Sequence, residues 1–344
     1  MISLPVLIVS NPQQLISDFL LKRSYTQLGV LVDSNTKIHC YPNIKEALPN
    51  HTLLEVSAGE DFKNLETCTK IWQQLTNLNF DRHSVLLVLG GGVLGDMGGF
   101  CAATFKRGID FMLVPTTLLA QVDASLGGKL GIDFQHFKNH IGVFKEPAVT
   151  LICPSFLKTL PERELRSGYA EIIKHCLIAD KDMWKIISSQ PLNSQDWDDL
   201  IAHSVKIKQE ITTQDPTEKG LRKILNFGHT IGHALETYYL SIGKRIFHGE
   251  AIAMGMIMES QIAHSKGLLT ETDLKSISAY IINVFGKITE PFNLDQVMIL
   301  LLQDKKNMGS RILMALLDGI GKAVWDQEVI EADIKSAIQY YQQL

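Results

Sequence analysis

Three histidines and one carboxylate in the second half of this 344-residue sequence carry its clearest chemical signal. Asn226-Phe227-Gly228-His229-Thr230-Ile231-Gly232-His233 sets two imidazoles at i and i+4, on one face of a helix, and His248-Gly249-Glu250 follows after a short loop. Glu171 lies in Ser167-Gly168-Tyr169-Ala170-Glu171-Ile172-Ile173-Lys174, a helical stretch where apolar and small residues surround the carboxylate. Two imidazoles and a carboxylate form a normal divalent-metal set that leaves positions open for substrate oxygens. A lone histidine in such surroundings is ordinarily a satisfied core residue. Three so close in sequence, each beside a glycine, point instead to a site. Spacing alone makes His229 and His233 the obvious co-ligands and leaves His175, four residues after Glu171, as a further candidate.

The first half carries glycines and cations. Gly90-Gly91-Gly92-Val93-Leu94-Gly95-Asp96 directly follows the apolar run Ser84–Leu89. Glycines at a strand-to-helix turn let backbone N–H groups approach a phosphate, and the helix N-terminus favours its charge. The spacing is not G-x-G-x-x-G, so it supports nucleotide binding only in general; a tight turn needing positive φ is the plain alternative. Asp33 ends a second apolar run, where an acid can take ribose hydroxyls. Ser57-Ala58-Gly59-Glu60 with Lys63 forms another polar loop. Val114-Pro115-Thr116-Thr117, Val122-Asp123-Ala124-Ser125, Gly127-Gly128-Lys129 and Lys138-Asn139 then place polar groups among apolar ones without amphipathic period. A solvated face would carry more charges and fewer glycines. Lys129, after two glycines, resembles a phosphate-binding lysine without the full P-loop pattern. With Arg107 these residues offer several cations to an anionic substrate. Any one of the lysines reads equally well as a surface charge; the cluster does not.

The elements that must position these groups fall into two textures. Val6–Ser10, Gly29–Asp33, Ser84–Leu89 and Phe111–Val114 are short apolar runs suited to strands buried on both faces of a parallel sheet. Asp61–Leu78, between two of them, has helical spacing, and the alternation predicts a doubly wound, Rossmann-like α/β nucleotide-binding domain over 1–154. Past Pro154 and Pro161 the β-runs almost vanish. Asp182–Ile187, Trp197–Thr212, Thr230–Tyr239, Ala251–Ser265 and Thr270–Val284 are amphipathic at helical period. These predict a mainly α-helical metal-binding domain over 155–344, with Arg311–Leu317 the only further strand. Two domains also suit a 38.4 kDa chain.

Composition narrows the partners. A formal net charge of -4 gives no bulk reason to bind nucleic acid or an anionic membrane, so a local cluster must hold any anion. No apolar run approaches the roughly 18 residues that cross a bilayer. The opening MISLPVLIVSNPQQL has neither basic leader nor small-residue cleavage site and reads as a first strand. Five scattered cysteines without a C-x-x-C pair predict free thiols in a reducing cytoplasm.

Taken in order, GGGVLGD, KRG, VPTTLLAQVDASLGGK, KN, SGYAEIIK, LRKILNFGHTIGH and HGEA resemble the 3-dehydroquinate synthase family, from Ser57-Ala58-Gly59-Glu60 to Asp304-Lys305-Lys306. The resemblance implies an N-terminal NAD-binding domain, a C-terminal helical domain and an active site in the cleft between them. It implies a zinc or cobalt ion held by Glu171, His229 and His248, and gives His233 to the substrate instead. Asp123, Lys129, Asn139, Lys174, Lys208, Arg222 and Asn226 match substrate-binding or catalytic positions. Lys138 and Lys306 match further members of the phosphate and substrate shell, and Arg107 an arginine supplied across a homodimer interface. Glu60, Lys63, Gly91, Gly92, Val93, Asp96, Thr116, Thr117, Lys129, Lys138 and Thr159 match cofactor contacts, as does Asp33.

The implied reaction turns 3-deoxy-D-arabino-heptulosonate 7-phosphate, a small sugar phosphate, into 3-dehydroquinate and phosphate. It runs by transient oxidation with NAD, phosphate elimination, re-reduction and aldol closure, with no net redox. Two positions depart from the family pattern: Leu130 stands where Thr is usual, and His140 where an apolar residue is commoner. Both bear on substrate detail rather than reaction class. Another sugar-phosphate cyclase is the nearest rival, opposed by retention of Lys138-Asn139, His233 and Lys306. A metal-dependent alcohol or glycerol dehydrogenase needs no phosphate cluster, and a catalytically dead binding protein would have broken ligand positions.

Overall fold

The computed structural model describes residues 6–22, 24–135, 137–302 and 312–344. They form two compact units, 1–165 and 166–344. The first unit contains β1 (Val6–Ile8), α1 (Pro12–Leu21), β2 (Leu28–Asp33), α2 (Ser34–His39), β3 (Thr52–Val56) and α3 (Leu65–Asn77). It continues with β4 (Val85–Gly90), α4 (Gly92–Thr104), β5 (Asp110–Pro115), β6 (Lys129–Phe134), β7 (Phe137–Phe144) and β8 (Val149–Ile152).

Six of these strands make one sheet, ordered β1-β8-β5-β4-β2-β3 and parallel throughout. Strand alternation divides its side chains. Leu31, Leu86 and Val88 join a core with Cys68, Ile71, Met97 and Cys101 of α3 and α4. Val30, Val32, Leu87 and Leu89 join a second core with Ile16 and Leu20 of α1. Covered on both faces, β2 and β4 are apolar along almost their whole length, as the sequence implied. After β2 the chain runs to β3 on one side and then crosses to β4 on the other. The order therefore reverses between β2 and β4, where doubly wound folds bind ligands at the strand C-termini. Val32 pairs with Leu89, so Asp33 and Gly90 emerge there at the same level.

The antiparallel hairpin of β6 and β7 was not foreseen. β6 turns Leu130 and Ile132, both buried, to the core of α3 and α4, whereas β7 adds only the half-buried Ile141 and Val143 between exposed residues, so no apolar run marks the pair.

The second unit holds most of α5 (Glu162–Ala179), then α6 (Lys181–Ser188), α7 (Trp197–Gln214), α8 (His229–Ser241), α9 (His248–Ser265), α10 (Glu271–Phe285), α11 (Leu294–Leu302), β9 (Ile312–Leu317), β10 (Ala323–Val329) and α12 (Glu331–Gln343). Asp180, Asp196 and Thr270 cap α6, α7 and α10 by accepting N–H bonds of the first turn. α9 packs against α8, α10 and α12, and thirteen of its residues are buried, from Gly249 to Ala263. Of the strand expected over 311–317, the described residues Ile312–Leu317 form β9 and pair with β10, which sequence did not show because it is bulged and half exposed.

Sequence texture placed the domain change at residue 155, whereas the units divide between Leu165 and Arg166. Phe156, in the 3-10 turn Pro154–Thr159, is buried with Met112, Val149 and Leu151, which ties that turn to the first unit. Among the described residues no helix is long and apolar enough to cross a membrane.

Candidate metal centre and cofactor loop

Three helices of the second unit bring Glu171, His229 and His248 together. Glu171 is fully buried in the middle of α5, while His229 and His248 open α8 and α9. Glycines permit the approach. The Gly249 N–H donates to Ser167 Oγ at 2.9 Å, and a Cβ on Gly249 would lie 2.1 Å from the Ser167 carbonyl oxygen. On Gly255 a Cβ would come 1.9 Å from the Gly228 carbonyl oxygen, so α8 and α9 meet backbone to backbone.

The ligand atoms of Glu171, His229 and His248 all lie within 4.8 Å of one another. Nε2 of His248 is 3.3 Å, and Nε2 of His229 3.4 Å, from the same Glu171 oxygen, Oε1. His229 Nδ1 lies 3.1 Å from the Phe227 carbonyl, which can only accept, so Nδ1 carries the hydrogen and Nε2 the lone pair. His248 Nδ1 faces Glu236 Oε2 at 3.7 Å, the carboxylate–histidine arrangement that orients metal ligands.

Charge is tightly coupled here. Burial alone raises the Glu171 carboxyl, but the Lys174 ammonium and the imidazoles outweigh it and hold it well below the usual range. Lys174 is itself buried and ion-paired with Glu171. Burial and the nearby Lys174 charge push His229 down to about 4. Burial also lowers His248, yet the carboxylates of Glu171 and Glu236 prevail and push it up to about 9. An ionised carboxylate and a neutral imidazole thus converge with His248, a donor set that fits a divalent ion.

His233 is exposed, with its ring 5.1 Å from that of His229 and 5.8 Å from that of His248. It also shares a possible ligand group with Glu236 and His248. His175 is buried and meets Ser204 Oγ at 2.5 Å. Lys208 is buried on α7. Asp215 accepts N–H bonds from Lys219, Gly220 and Arg222, folding the loop that carries Arg222 and Asn226. Arg222 is buried and donates to the Pro216 carbonyl at 2.8 Å, and Asn226 donates to Glu218 at 2.6 Å. Lys306 lies outside the described residues.

In the first unit, Gly91 caps α4, and Gly92 and Val93 form its first turn at the sheet's switch point. Thr116 donates its N–H to Gly90 at 3.0 Å, and Thr117 Oγ1 accepts from Ala120 at 3.2 Å. Asp33 uses Oδ1 to accept from Asn35 and Thr36, capping α2. Lys63, buried, joins residues assigned separately to cofactor and substrate: its Nζ donates to Asp96 at 2.7 Å and to Asn139 at 2.6 Å. Burial lowers its pKa, but the carboxylates of Asp96 and Glu60 outweigh this and raise it. Asn139, at φ 49°, donates its N–H to Asp133, and Lys138 pairs with Glu60 at 3.5 Å.

The remaining candidates of this unit are more dispersed. Lys129 is exposed at the start of β6, and Asp123 lies in a single π-helical turn, Ala120–Ala124. Arg107 is exposed at φ 70°, and Thr159 is exposed in the Pro154–Thr159 turn. Leu130 is a core residue whose Cδ2 lies 2.6 Å from where a Gly99 Cβ would stand, so the departure from Thr at this position alters packing. His140 is exposed and stacks near Phe137, ring centroids 5.3 Å apart.

Sequence reading passed over two acids on these helices, Glu236 and Glu259. Glu259 did leave a signal: it is the one charge within Ala251–Ala263, an otherwise uncharged stretch.

Residues 53–167 match the family described as 3-dehydroquinate synthase N-terminal, and residues 168–307 the one described as 3-dehydroquinate synthase C-terminal. A 3-dehydroquinate synthase of Parabacteroides distasonis is 36% identical over 344 residues, covering 98% of each chain. The chain belongs to the 3-dehydroquinate synthase family. Among solved structures, a 2-epi-5-epi-valiolone synthase from Streptomyces hygroscopicus with NAD+ and Zn2+ bound superposes with a TM-score of 0.90 at 26% identity, covering 100% of this chain and 98% of that one. A 2-deoxy-scyllo-inosose synthase complexed with carbaglucose-6-phosphate, NAD+ and Co2+ gives 0.86 at 26% identity, covering 97% and 95%.

Proposed function

We propose that this enzyme is a 3-dehydroquinate synthase, converting 3-deoxy-D-arabino-heptulosonate 7-phosphate into 3-dehydroquinate and phosphate with NAD and one zinc or cobalt ion. The observation that carries the reading is the convergence of Glu171, His229 and His248 in a chain of this family. When bound, NAD takes and returns one hydride while the divalent ion polarises the alcohol oxygen being oxidised.

The protein's own contribution is positioning and charge. Glu171, His229 and His248 hold the ion, with Lys174 balancing the Glu171 carboxylate. His233, Lys208, Arg222 and Asn226 orient the substrate beside it. Gly91, Gly92 and Val93 offer backbone to the dinucleotide phosphates at the start of α4, with Asp33, Thr116, Thr117 and Thr159 completing its pocket. Glu60, Lys63, Asp96, Lys138 and Asn139 link cofactor to substrate, while Lys129 and Lys306 hold the leaving phosphate and Asp123 the reacting hydroxyls. Five free, buried cysteines support a reducing cytoplasm, and Arg107 is offered to a second copy in a homodimer.

Product analysis tests this. Purified protein with NAD, Zn2+ and the heptulosonate phosphate should yield dehydroquinate and phosphate in equal amounts, and chelation should abolish both. An untouched substrate or a different carbocycle would refute the assignment.

A further inference from the structure

Resting on the metal-site reading, we propose that Glu259 is a positioning residue for the metal ligand His229, acting through the peptide bond between Phe227 and Gly228. Glu259 is fully buried on α9, one helical turn after Gly255, where α9 touches the start of α8. Its Oε2 accepts the Gly228 N–H at 2.6 Å, and its Oε1 accepts the Ile231 N–H at 3.0 Å. These are the N-cap and third-residue donors of α8, whose own N-cap glycine has no side chain to satisfy them. A capping box normally comes from the helix's own sequence; here a neighbouring helix supplies it.

The bonded peptide is the feature of interest. The Phe227–Gly228 unit gives its N–H to the Glu259 carboxylate, while its carbonyl accepts Nδ1–H of His229. Carboxylate, peptide and imidazole form one chain ending at Nε2, the atom facing Glu171. A charge at the far end polarises the peptide, strengthens its carbonyl as an acceptor and makes Nε2 a better donor. His248 has Glu236 directly behind its Nδ1, whereas His229 has a carboxylate one peptide removed. Capping alone needs no charge, since Ser, Thr or Asn serves. Burying a carboxylate is costly unless its charge is used, and the positive end of α8 together with a cation beyond His229 uses it.

Titration of the metal-free protein with Co2+, read by competition with a chelator and by the visible d–d bands, tests the proposal. Glu259→Gln keeps the size and removes the charge. It should weaken Co2+ binding about 10- to 100-fold and shift the bands. Unchanged affinity and bands alongside altered thermal stability would leave Glu259 a structural cap and overturn the proposal. A wild-type protein that binds no Co2+ would overturn the metal reading itself, a separable outcome. Should the variant not fold, the amide proton spectrum of the wild type serves: the Gly228 signal should move on Zn2+ addition more than that of Ile231. Equal or absent movement would contradict the relay.

Discussion

Lys63 Nζ lies 2.7 Å from Asp96 Oδ2, and with a second partner in Asn139 this buried cation ties the first turns of α4 to the β6–β7 hairpin. Lys63→Met leaves both acceptors without that donor. Asp96 keeps 19% side-chain exposure, which moderates the cost. We expect a loss of about 2 kcal/mol by urea unfolding, together with weaker NAD binding by fluorescence titration. Unchanged NAD affinity would separate this cluster from the cofactor.

Gly255→Ala tests the packing of the metal helices. The added methyl would stand 1.9 Å from the Gly228 carbonyl oxygen, so backbone must move. Overpacking of this kind costs about 1 to 3 kcal/mol. The variant should show a lower Tm and weakened Zn2+ binding in a chelator competition assay.

Protons compete with the ion. At neutral pH His229, at about 4, is already neutral, while His248, at about 9, holds a proton that a metal must displace. Raising the pH towards about 9 removes that proton, so affinity should climb about tenfold per pH unit and then level off. Calorimetry at neutral pH in buffers of different ionisation enthalpy should report about one proton released per ion bound. No release would mean that His248 is already neutral when the ion binds.

Lys174 and Glu171 are buried together, and removing the ammonium leaves the carboxylate only the imidazoles of His229 and His248, 3.4 and 3.3 Å away. Lys174→Met should destabilise the metal-free protein by about 3 kcal/mol. Zn2+ should then raise the Tm of the variant more than that of the wild type, because the ion supplies the missing charge.

How far these features were legible in sequence depends on whether the partner is local. The glycine turn could be read because Ser84–Leu89 is a continuous apolar strand and Gly90–Gly92 follow at once. Its position beside Asp33 follows from the reversal of strand order at β2 and β4. His229 and His233 were legible as one face of a helix. Spacing could not bring in His248, because Gly249 and Gly255 determine that approach by admitting distant backbone. β7 and β10 escaped notice because they are largely exposed and lack an apolar run. Glu259 serves a helix whose N-cap, Gly228, lies thirty-one residues earlier in sequence, a distance no local pattern spans.

Following phosphate release and NADH absorbance together during turnover of the heptulosonate phosphate tests the central claim most directly. The account predicts steady phosphate release with no accumulating NADH, and loss of both release and Zn2+ binding in Glu171→Gln. NADH rising in step with turnover would contradict it and mark the enzyme as a dehydrogenase.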